Sequence, residues 1–270
     1  MILVSWWLNS HSRIYLKSSG AERIFFAKLS AIGVEGMKDT VRRIFYRVGN
    51  LPISRLVARK YQGKILFLMY HRVIQDSDFI NHTEPTEPLS ELSISVSRFD
   101  EQISYISKSC QPISIDQLPS LLSDTNSLSN IPVVVTFDDG YKDNLVYALP
   151  ILKKHKVPAV IYITTCFPEG DCSIWWFELW ENYQEYVLNW EEIKELDKEE
   201  LITIGAHTHT HPNLRNLNES TVIKEMITSK ELLEKNLGHS VEHFAYPYGT
   251  PYEAGQREYG IAKNVVSRQQ

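Results

Sequence analysis

Apolar runs alternate with amphipathic segments along the chain from residue 64 onward. Five short apolar runs have the length and composition of buried strands, at residues 65–70, 133–137, 159–163, 202–206 and 243–246. Between them, apolar residues recur three and four positions apart, which predicts helices at 99–109, at 145–156 and between the capping residues Ser220 and Gly238. Strands that alternate with helices predict an α/β fold with a parallel sheet, either open or closed into a barrel.

The first 63 residues depart from this pattern and predict a separate, partly helical N-terminal extension. Within "VRRIFYRVGN", one apolar stripe is formed by Val41, Ile44, Phe45 and Val48, and three arginines lie off it. Such a basic amphipathic helix can dock on the main domain or contact an anionic membrane surface peripherally. We therefore divide the chain into the extension, 1–63, and a main domain, 64–270. In the main domain, residues 167–200 are rich in tryptophan and glutamate and are interpreted as an insertion.

Composition and charge narrow the class of protein. Hydrophobic residues make up 43% of the chain and charged residues 23%, as in a globular protein with a real core. Residues 1–64 carry twelve Lys/Arg against three Asp/Glu, whereas the acidic remainder argues against a nucleic-acid partner. We recognise no secretory signal and no apolar run of the roughly 18 residues that a membrane span needs. We expect the three cysteines to form neither a disulfide framework nor a CxxC pair, which favours a reducing compartment and a cytoplasmic or membrane-surface location.

Two of the predicted strands end directly in side chains that can bind metals. The strand at 133–137 is followed by Asp138, Asp139 and Gly140, and the strand at 202–206 is followed by the histidine-rich stretch "HTHTH". Because loops at the carboxyl ends of parallel strands build the active site in α/β folds, we expect these two loops to converge. Each stretch taken alone is also compatible with an ordinary surface turn.

The three histidines are not equivalent as ligands. In a continuing strand, His207, His209 and His211 would spread over about 13 Å, too far for the outer two to bind one ion. If the chain turns after His207, then His207 and His211 become neighbours and His209 points away. Pro212 argues against a continuing strand. A carboxylate from the other loop would complete a set that leaves coordination positions free for water and substrate.

The same residues carry a family resemblance that covers roughly residues 64–262. "VVVTFDDGYKDN" followed by "ALPILKKHKVPAVIYI" resembles the first motif of the polysaccharide deacetylases (the NodB-homology carbohydrate esterases). "IGAHTHTHPNL" resembles their His-Ser/Thr-x-x-His motif, and "FAYPYG" is similar to a variant of their third motif. "LMYHRV" resembles their entry strand, and "IWWFELW" resembles an aromatic insertion found in part of the family.

The resemblance implies a metal-dependent hydrolase on a distorted (β/α) barrel, which removes N-acetyl groups from an amino sugar in a polysaccharide or glycan. By position, Asp139, His207 and His211 would bind one divalent metal ion, with Zn²⁺ expected and Co²⁺ or Ni²⁺ as alternatives. Asp138 would be the general base for the attacking water, which the ion makes more acidic. The backbone N–H of Tyr248 would stabilise the tetrahedral oxyanion.

Other residues are candidates for supporting roles. Thr208 would buttress the histidine loop by a hydrogen bond. The candidates for lining the substrate pocket are Tyr141, Trp175, Tyr246, Pro247 and His71. Each aromatic residue could equally be part of the packing, and His71 could equally be a structural, hydrogen-bonded histidine.

Two features depart from the family pattern. Ala245 stands where the family often has an arginine that holds the base aspartate, and no histidine follows His243 to protonate the leaving amine. Only 21 residues follow Gly249, so we expect a barrel that lacks its last strands at the C-terminus, and impaired activity. Two alternatives stay open: a catalytically impaired sugar- or metal-binding domain, and a metal-dependent phosphoesterase. The lack of a basic phosphate clamp counts against the second.

Overall fold

The computed structural model describes residues 24–26, 65–81, 92–123, 130–172, 183–250 and 252–266. The described strands are β1 (Ile24–Phe26), β2 (Ile65–Tyr70), β3 (Arg72–Ile74), β4 (Ser93–Ser95), β5 (Gln111–Pro112), β6 (Pro132–Phe137), β7 (Ala159–Ile163) and β8 (Ile202–Ala206). The described α-helices are α1 (Asp76–Asn81), α2 (Val96–Ser109), α3 (Leu118–Ser123), α4 (Leu149–His155), α5 (Cys166–Glu169), α6 (Trp190–Asp197), α7 (Glu219–Leu237) and α8 (Gln256–Val266). A π-helical turn, Asn144–Ala148, leads into α4, and 3₁₀ turns cover Ile115–Gln117, Tyr183–Glu185 and Leu214–Asn216.

One parallel sheet carries the fold. Its strand order is β1–β2–β6–β7–β8, and β5 pairs with the first residues of β6. β3 and β4 form a separate parallel pair. The predicted α/β class with parallel strands is confirmed, and the described strands form an open sheet rather than a closed barrel. Because the strands are parallel, the carboxyl ends of β6, β7 and β8 lie at one edge of the sheet.

The central strands of the sheet, β2, β6, β7 and β8, are mostly apolar because both faces of the sheet are buried. In β6, Val133, Val135 and Phe137 belong to a large core that also contains buried side chains of α2, α4 and α7, such as Leu152. Val134, which points the other way, belongs to a smaller apolar cluster on the opposite face. A parallel strand covered on both faces therefore has a mostly apolar sequence, as β2, β6, β7 and β8 have.

Four of the five predicted strands coincide with β2, β6, β7 and β8. The fifth prediction, residues 243–246, was wrong: this segment meets β8 through an isolated parallel bridge between Phe244 and Ala206. The physical reason lies just beyond it. Pro247 has no N–H to extend a ladder, and Tyr248 has a left-handed φ of 60°, so the chain turns away from the sheet.

The helix predictions were right for α2, α4 and α7 but misplaced one cap. α7 begins after Asn218, whose Oδ1 accepts the N–H of Thr221 at 2.9 Å. Ser220 already lies in the first turn, and its hydroxyl donates to the same oxygen. The helix ends at Gly238, which has the left-handed φ of 81° that glycine tolerates best.

Residues 167–200 are not an insertion along their whole length, as the sequence had indicated. α6 lies in this range. It follows β7 and precedes β8 along the chain, and its side chains Ile193 and Leu196 are fully buried. It begins with a capping box. The side chain of Asn189 accepts the N–H of Glu192, and the carboxylate of Glu192 accepts the N–H of Asn189. α6 is therefore the crossover helix between these two parallel strands. The part of the range at 173–182 lies outside the described residues.

The predicted N-terminal extension is described at one strand only. β1 pairs in parallel with β2, Ile24 opposite Ile65, so this part of the extension joins the main sheet. The predicted basic helix at 41–48 lies outside the described residues, and its contact with a membrane stays a prediction. Within the described part of the chain, no helix combines the length and the apolar character that crossing a bilayer requires.

Candidate active site

The loop after β6 turns sharply at two residues with left-handed backbone. Asp139 has a φ of 75° and Gly140 a φ of 86°. Glycine is favoured at position 140 because few other residues adopt this left-handed conformation without strain. The N–H of Asp138 donates to the carbonyl oxygen of Tyr70 at 3.0 Å, which ties the start of the loop to β2. This turn holds two consecutive carboxylates at the carboxyl edge of the sheet.

The loop after β8 turns after His207 and does not continue the strand. Thr208 and His211 both have left-handed backbone, with φ of 66° and 53°. The hydroxyl of Thr208 donates to the carbonyl oxygen of His207 and accepts the N–H of His211 at 3.1 Å. This arrangement brings the rings of His207 and His211 to a centroid distance of 4.9 Å.

Asp139 meets both histidines at this edge of the sheet. Its Oδ1 lies 3.3 Å from Nε2 of His211 and 3.5 Å from Nε2 of His207. One ligand atom from each of the three residues lies within 4.8 Å of the other two. The three side chains are buried, and Oδ1 of Asp139 makes no well-formed hydrogen bond within the described residues. A buried, poorly paired carboxylate oxygen that faces two imidazoles is an arrangement that a cation would complete.

Burial and mutual charge favour the protonation states that bind metals. Burial lowers the pKa of His207 to about 3, which keeps the imidazole neutral. Burial alone would raise the pKa of Asp139, but its interactions with the neighbouring histidines, chiefly with His211, outweigh it and hold the pKa below its ordinary value. An ionised carboxylate and a neutral imidazole each offer a lone pair to a cation.

His207 is oriented by a contact with the third motif. Its Nδ1 lies 2.9 Å from the carbonyl oxygen of Ala245. Because a carbonyl oxygen only accepts, Nδ1 must carry the proton, and the lone pair of Nε2 then faces Asp139. The contact uses the backbone of Ala245, so it does not depend on the family's arginine at this position.

The geometry of the trio fits a divalent metal ion. Ligand atoms bound about 2.1 Å from Zn²⁺ in a tetrahedral arrangement lie about 3.4 Å from one another. The two Asp139–histidine distances, 3.3 Å and 3.5 Å, match this spacing. Imidazole and carboxylate ligands also suit neighbouring divalent transition metals, so the donor set does not select among Zn²⁺, Co²⁺ and Ni²⁺. Three protein ligands leave at least one coordination position for water or substrate.

His209 points away from the trio and is held by the loop after β7. Its Nδ1 lies 3.0 Å from Oγ1 of Thr165, and its Nε2 lies 3.6 Å from Oδ2 of Asp171. Its carbonyl oxygen accepts the N–H of Cys166 at 2.9 Å. The structure thus separates His209 from the two other histidines of the stretch.

Cys166 and Cys172 form a disulfide, with their Cα atoms 4.9 Å apart. This corrects the expectation that the cysteines are unpaired. The pair was missed because the chain turns back at Gly170, with a φ of 76°, and spacing alone does not reveal that turn. Disulfides persist in oxidising surroundings, so the cysteine content no longer supports the predicted reducing compartment.

Asp138 directly precedes Asp139, and the register of β6 places it on the same face of the sheet as the smaller apolar cluster. The strand register pairs Phe137 with Ile161 and Tyr162 with Gly205, so Asp138, Tyr162 and Gly205 continue one row across three strands. Asp138 is 2% exposed. The ring of Tyr162 covers Gly205, where a Cβ would lie 2.5 Å from the ring. Burial, and then the charge of Asp138, raises the pKa of Tyr162 well above its ordinary value, so the phenol stays protonated.

A partly buried ion pair between Asp143 and Arg72 ties the loop after β6 to β3. Oδ2 of Asp143 accepts the Nε–H of Arg72 at 2.9 Å, and Oδ1 accepts the N–H of Val73 at 3.0 Å. His71, which precedes β3, places its Nε2 4.0 Å from Oδ2 of Asp139. His71 therefore lines the site. The sequence had not singled out Asp143, although it lies four residues after Asp139.

Two of the aromatic residues predicted to face the substrate are interior. Tyr141 and Tyr246 are both 0% exposed. The ring of Tyr246 packs against Phe244 and Tyr259, at centroid distances of 5.0 Å and 5.3 Å. These contacts favour the packing interpretation for both tyrosines. Trp175 lies outside the described residues.

The third motif reaches the site through Tyr248. This residue is half-buried, and its ring lies 4.8 Å from the ring of His211. Pro247 is buried immediately before it, and the left-handed backbone of Tyr248 turns the chain at the edge of the trio. The assignment of the Tyr248 N–H to an oxyanion stays a prediction.

Sequence reasoning also missed Glu225, which reaches the histidine loop from α7. Its Oε2 accepts the N–H groups of His209 and Thr210 at 3.0 Å and 2.8 Å. In the sequence, Glu225 is one of several carboxylates along the helix, and nothing in the spacing distinguishes it. The contact is a tertiary one between a helix and a loop that precedes it.

Comparison with known proteins gives consistent matches over the main domain. Residues 125–261, about half of the chain, match the family model described as "Polysaccharide deacetylase". A poly-beta-1,6-N-acetyl-D-glucosamine N-deacetylase of Staphylococcus aureus (strain MRSA252) is 30% identical over 203 residues, which are 70% of this chain and 66% of the relative. The chain thus spans slightly less than two thirds of the length of the curated relatives it matches.

Solved structures with a similar fold cover about three quarters of the chain. The Streptococcus pyogenes deacetylase PplD in complex with acetate has a TM-score of 0.59 at 24% identity and covers 75% of this chain and 80% of its own. A de-N-acetylase from Aggregatibacter actinomycetemcomitans has a TM-score of 0.60 at 18% identity, covering 74% and 84%. IcaB from Ammonifex degensii has a TM-score of 0.57 at 23% identity, covering 74% and 80%. At these identities the likeness shows the fold, and it confirms the barrel-type α/β architecture.

Proposed function

Because the chain belongs to the polysaccharide deacetylase family, we propose that it is a metal-dependent hydrolase that removes N-acetyl groups from an amino sugar within a polysaccharide. One observation carries this proposal. The buried trio of Asp139, His207 and His211 has the spacing of a catalytic metal site, and a second buried carboxylate, Asp138, directly precedes it. A site that only bound a metal would have no use for the second carboxylate.

In this proposal the trio holds one divalent ion, with Zn²⁺ as the first choice and Co²⁺ or Ni²⁺ as alternatives. When bound, the ion supplies Lewis acidity, which polarises the acetamide carbonyl and lowers the pKa of water. Three features of the trio support this assignment. Oδ1 of Asp139 lies 3.3 Å and 3.5 Å from the Nε2 atoms of the two histidines, the imidazole of His207 is neutral, and Asp139 is ionised.

The other residues act on protons and on developing charge. Asp138 removes a proton from the attacking water while the water oxygen bonds to the acetyl carbon. The N–H of Tyr248 stabilises the negative charge that develops on the carbonyl oxygen. The C–N bond then breaks, the leaving nitrogen takes up a proton derived from the attacking water, and the products are acetate and a free amine. Thr208 keeps the two histidines at their spacing through its two hydrogen bonds.

We propose poly-β-1,6-linked N-acetylglucosamine as the substrate class. The support is the 30% identity to the S. aureus relative, whose name specifies that polymer. A neutral acetylated glycan is also compatible with the acidic main domain, which would repel polyanionic nucleic acid.

The experiment that tests this function compares acetylated glucosamine oligomers in β-1,6 and β-1,4 linkage with an aryl phosphate ester. Zn²⁺-loaded protein should release acetate and equal amounts of free amine from the β-1,6 oligomer, with the Asp138→Asn variant as the inactive control. Binding of the oligomers without acetate release would instead support an impaired sugar-binding domain. Hydrolysis of the phosphate ester alone would support a phosphoesterase.

A further inference from the structure

The three residues between the two histidine ligands lack regular secondary structure of their own. They connect His207 and His211 through a turn that begins at Thr208, a β-branched residue in left-handed backbone with φ of 66°. A β-branched side chain disfavours this conformation, so the turn persists only where its surroundings hold it. The hydrogen bonds of Thr208 close the turn from within. They leave the N–H groups of His209 and Thr210 to be satisfied from outside.

The carboxylate of Glu225 accepts hydrogen bonds from both of these N–H groups. Its Oε2 accepts the N–H of His209 at 3.0 Å and the N–H of Thr210 at 2.8 Å. Its Oε1 accepts the hydroxyl of Thr210 at 2.8 Å. Three donors from two consecutive residues thus converge on one carboxylate, and hydrogen bonds to an ionised acceptor are the stronger kind. The carboxylate holds the middle of the turn while its two ends carry the ligands.

The helix that presents Glu225 is firmly anchored. Its neighbours Val222 and Met226 are 0% and 1% exposed and belong to the same core as Ala206, the last residue of β8. The N-terminus of α7 is capped by Asn218. The carboxylate therefore stands on a rigid element, and the distance between α7 and β8 sets where the turn can lie.

We infer that Glu225 is a positioning residue that sets the spacing of His207 and His211 by holding the turn between them. The inference rests on the proposed function, because that function requires the two histidines to be spaced as ligands of one metal ion. The three hydrogen bonds of Glu225 go to the backbone of His209 and to Thr210, between the two ligands, so it acts through the loop. Partners that orient the ligands of a metal typically change metal affinity or activity by about 10- to 100-fold when they are lost.

The test measures Zn²⁺ affinity by calorimetry and the d–d absorption of Co²⁺ in the full chain. Glu225→Ala should weaken Zn²⁺ binding by about 10-fold or more and shift the Co²⁺ bands, because the ligand geometry changes. Glu225→Gln keeps one acceptor oxygen for the two N–H groups, so it should recover most of the affinity. Thr210→Val removes one of the three donors and should lie between wild type and the alanine variant. Glu231→Gln, an exposed carboxylate on the same helix, is the matched control and should match wild type.

The variants distinguish a failure of the positioning role from a failure of the proposed metal site. If Glu225→Ala and Thr210→Val bind Zn²⁺ within twofold of wild type and leave the Co²⁺ spectrum unchanged, the positioning role is wrong, although the proposed function can stand. If His207→Ala retains tight Zn²⁺ binding, the metal site itself is wrong. If Glu225→Ala does not fold, the Glu225→Gln and Thr210→Val variants decide. Zn²⁺ affinities and Co²⁺ spectra that match wild type in both variants would contradict the inference, and a graded loss of affinity would support it.

Discussion

Oδ1 of Asp139 lies 3.3 Å from Nε2 of His211, although one residue follows β6 and the other follows β8. β7 lies between these two strands in the sheet, so the contact spans a neighbouring strand. The two loops can meet because each turns through left-handed backbone, at Asp139 and at Thr208 and His211. The proposed chemistry depends on this meeting point.

The two kinds of histidine in the loop should behave differently. His207→Ala should abolish tight Zn²⁺ binding, because it removes a ligand whose Nε2 faces Asp139. His209→Ala should leave Zn²⁺ binding nearly intact, because His209 contacts Thr165 and Asp171 instead. Isothermal titration calorimetry of both variants checks this. Equal losses of affinity in the two variants would contradict the assignment of ligands.

Asp138 should prove to be a base rather than a ligand. Asp138→Asn preserves the shape of the side chain but removes the basic oxygen, so turnover should fall by about 10² or more. Metal content, measured by atomic emission after gel filtration, should stay at the wild-type level. Loss of the metal from this variant would mean that the roles of Asp138 and Asp139 are reversed.

The ion pair that anchors the first-motif loop should matter for stability. Asp143→Ala leaves Arg72, whose side chain is 15% exposed, without its carboxylate, and deprives the N–H of Val73 of its acceptor. Loss of one partner costs about 3–5 kcal/mol in a fully buried pair and at most about 1 kcal/mol at the surface, so for this partly buried pair the free energy of unfolding should fall by an intermediate amount, about 2 kcal/mol, in urea titrations.

The control for this prediction is Glu199→Ala, which breaks a surface pair. The side chain of Lys153 in that pair is 52% exposed, so the loss should be at most about 1 kcal/mol. Similar losses of unfolding free energy in the two variants would show that the Asp143 pair is not effectively buried.

The carboxyl group of Asp143 should make the free energy of unfolding depend on pH. Burial, partly offset by Arg72, raises the pKa of Asp143 to about 6, above its ordinary value of 3.8. Between about pH 4 and pH 6 the folded state then binds more protons than the unfolded state, so this contribution to stability falls as pH rises. Relative to Asp143→Asn, wild type should lose up to about 1.4 kcal/mol per pH unit in that window. A difference that is flat or rises with pH would contradict the raised pKa.

The fold was largely predictable because burial leaves a direct mark on the sequence. β2, β6, β7 and β8 are covered on both faces and therefore appear as mostly apolar runs, with Thr136 in β6 and Thr203 in β8 as the polar exceptions. The cap of α7 was less predictable, because Asn218 and Ser220 are both good capping residues and only the hydrogen bond to Thr221 distinguishes them.

The convergence of Asp139, His207 and His211 was also predictable: the spacing of the two histidines indicated that they pair, and the family resemblance singled out Asp139 as their partner. The contacts that hold the trio were not. His207 is oriented by the carbonyl oxygen of Ala245, a backbone atom that any residue would provide. Glu225 and the Cys166–Cys172 pair act through tertiary contacts that have no local signature. Sequence thus indicated which groups could do the chemistry, and the structure shows which neighbours position them.

The most direct test of the central claim is acetate release from a β-1,6-linked N-acetylglucosamine oligomer, before and after removal of metal with a chelator. We predict that chelation abolishes release, that stoichiometric Zn²⁺ restores it, and that Asp139→Ala shows no restoration because the buried carboxylate that joins the two histidines is gone. Undiminished acetate release from protein shown by elemental analysis to be free of metal would contradict the account.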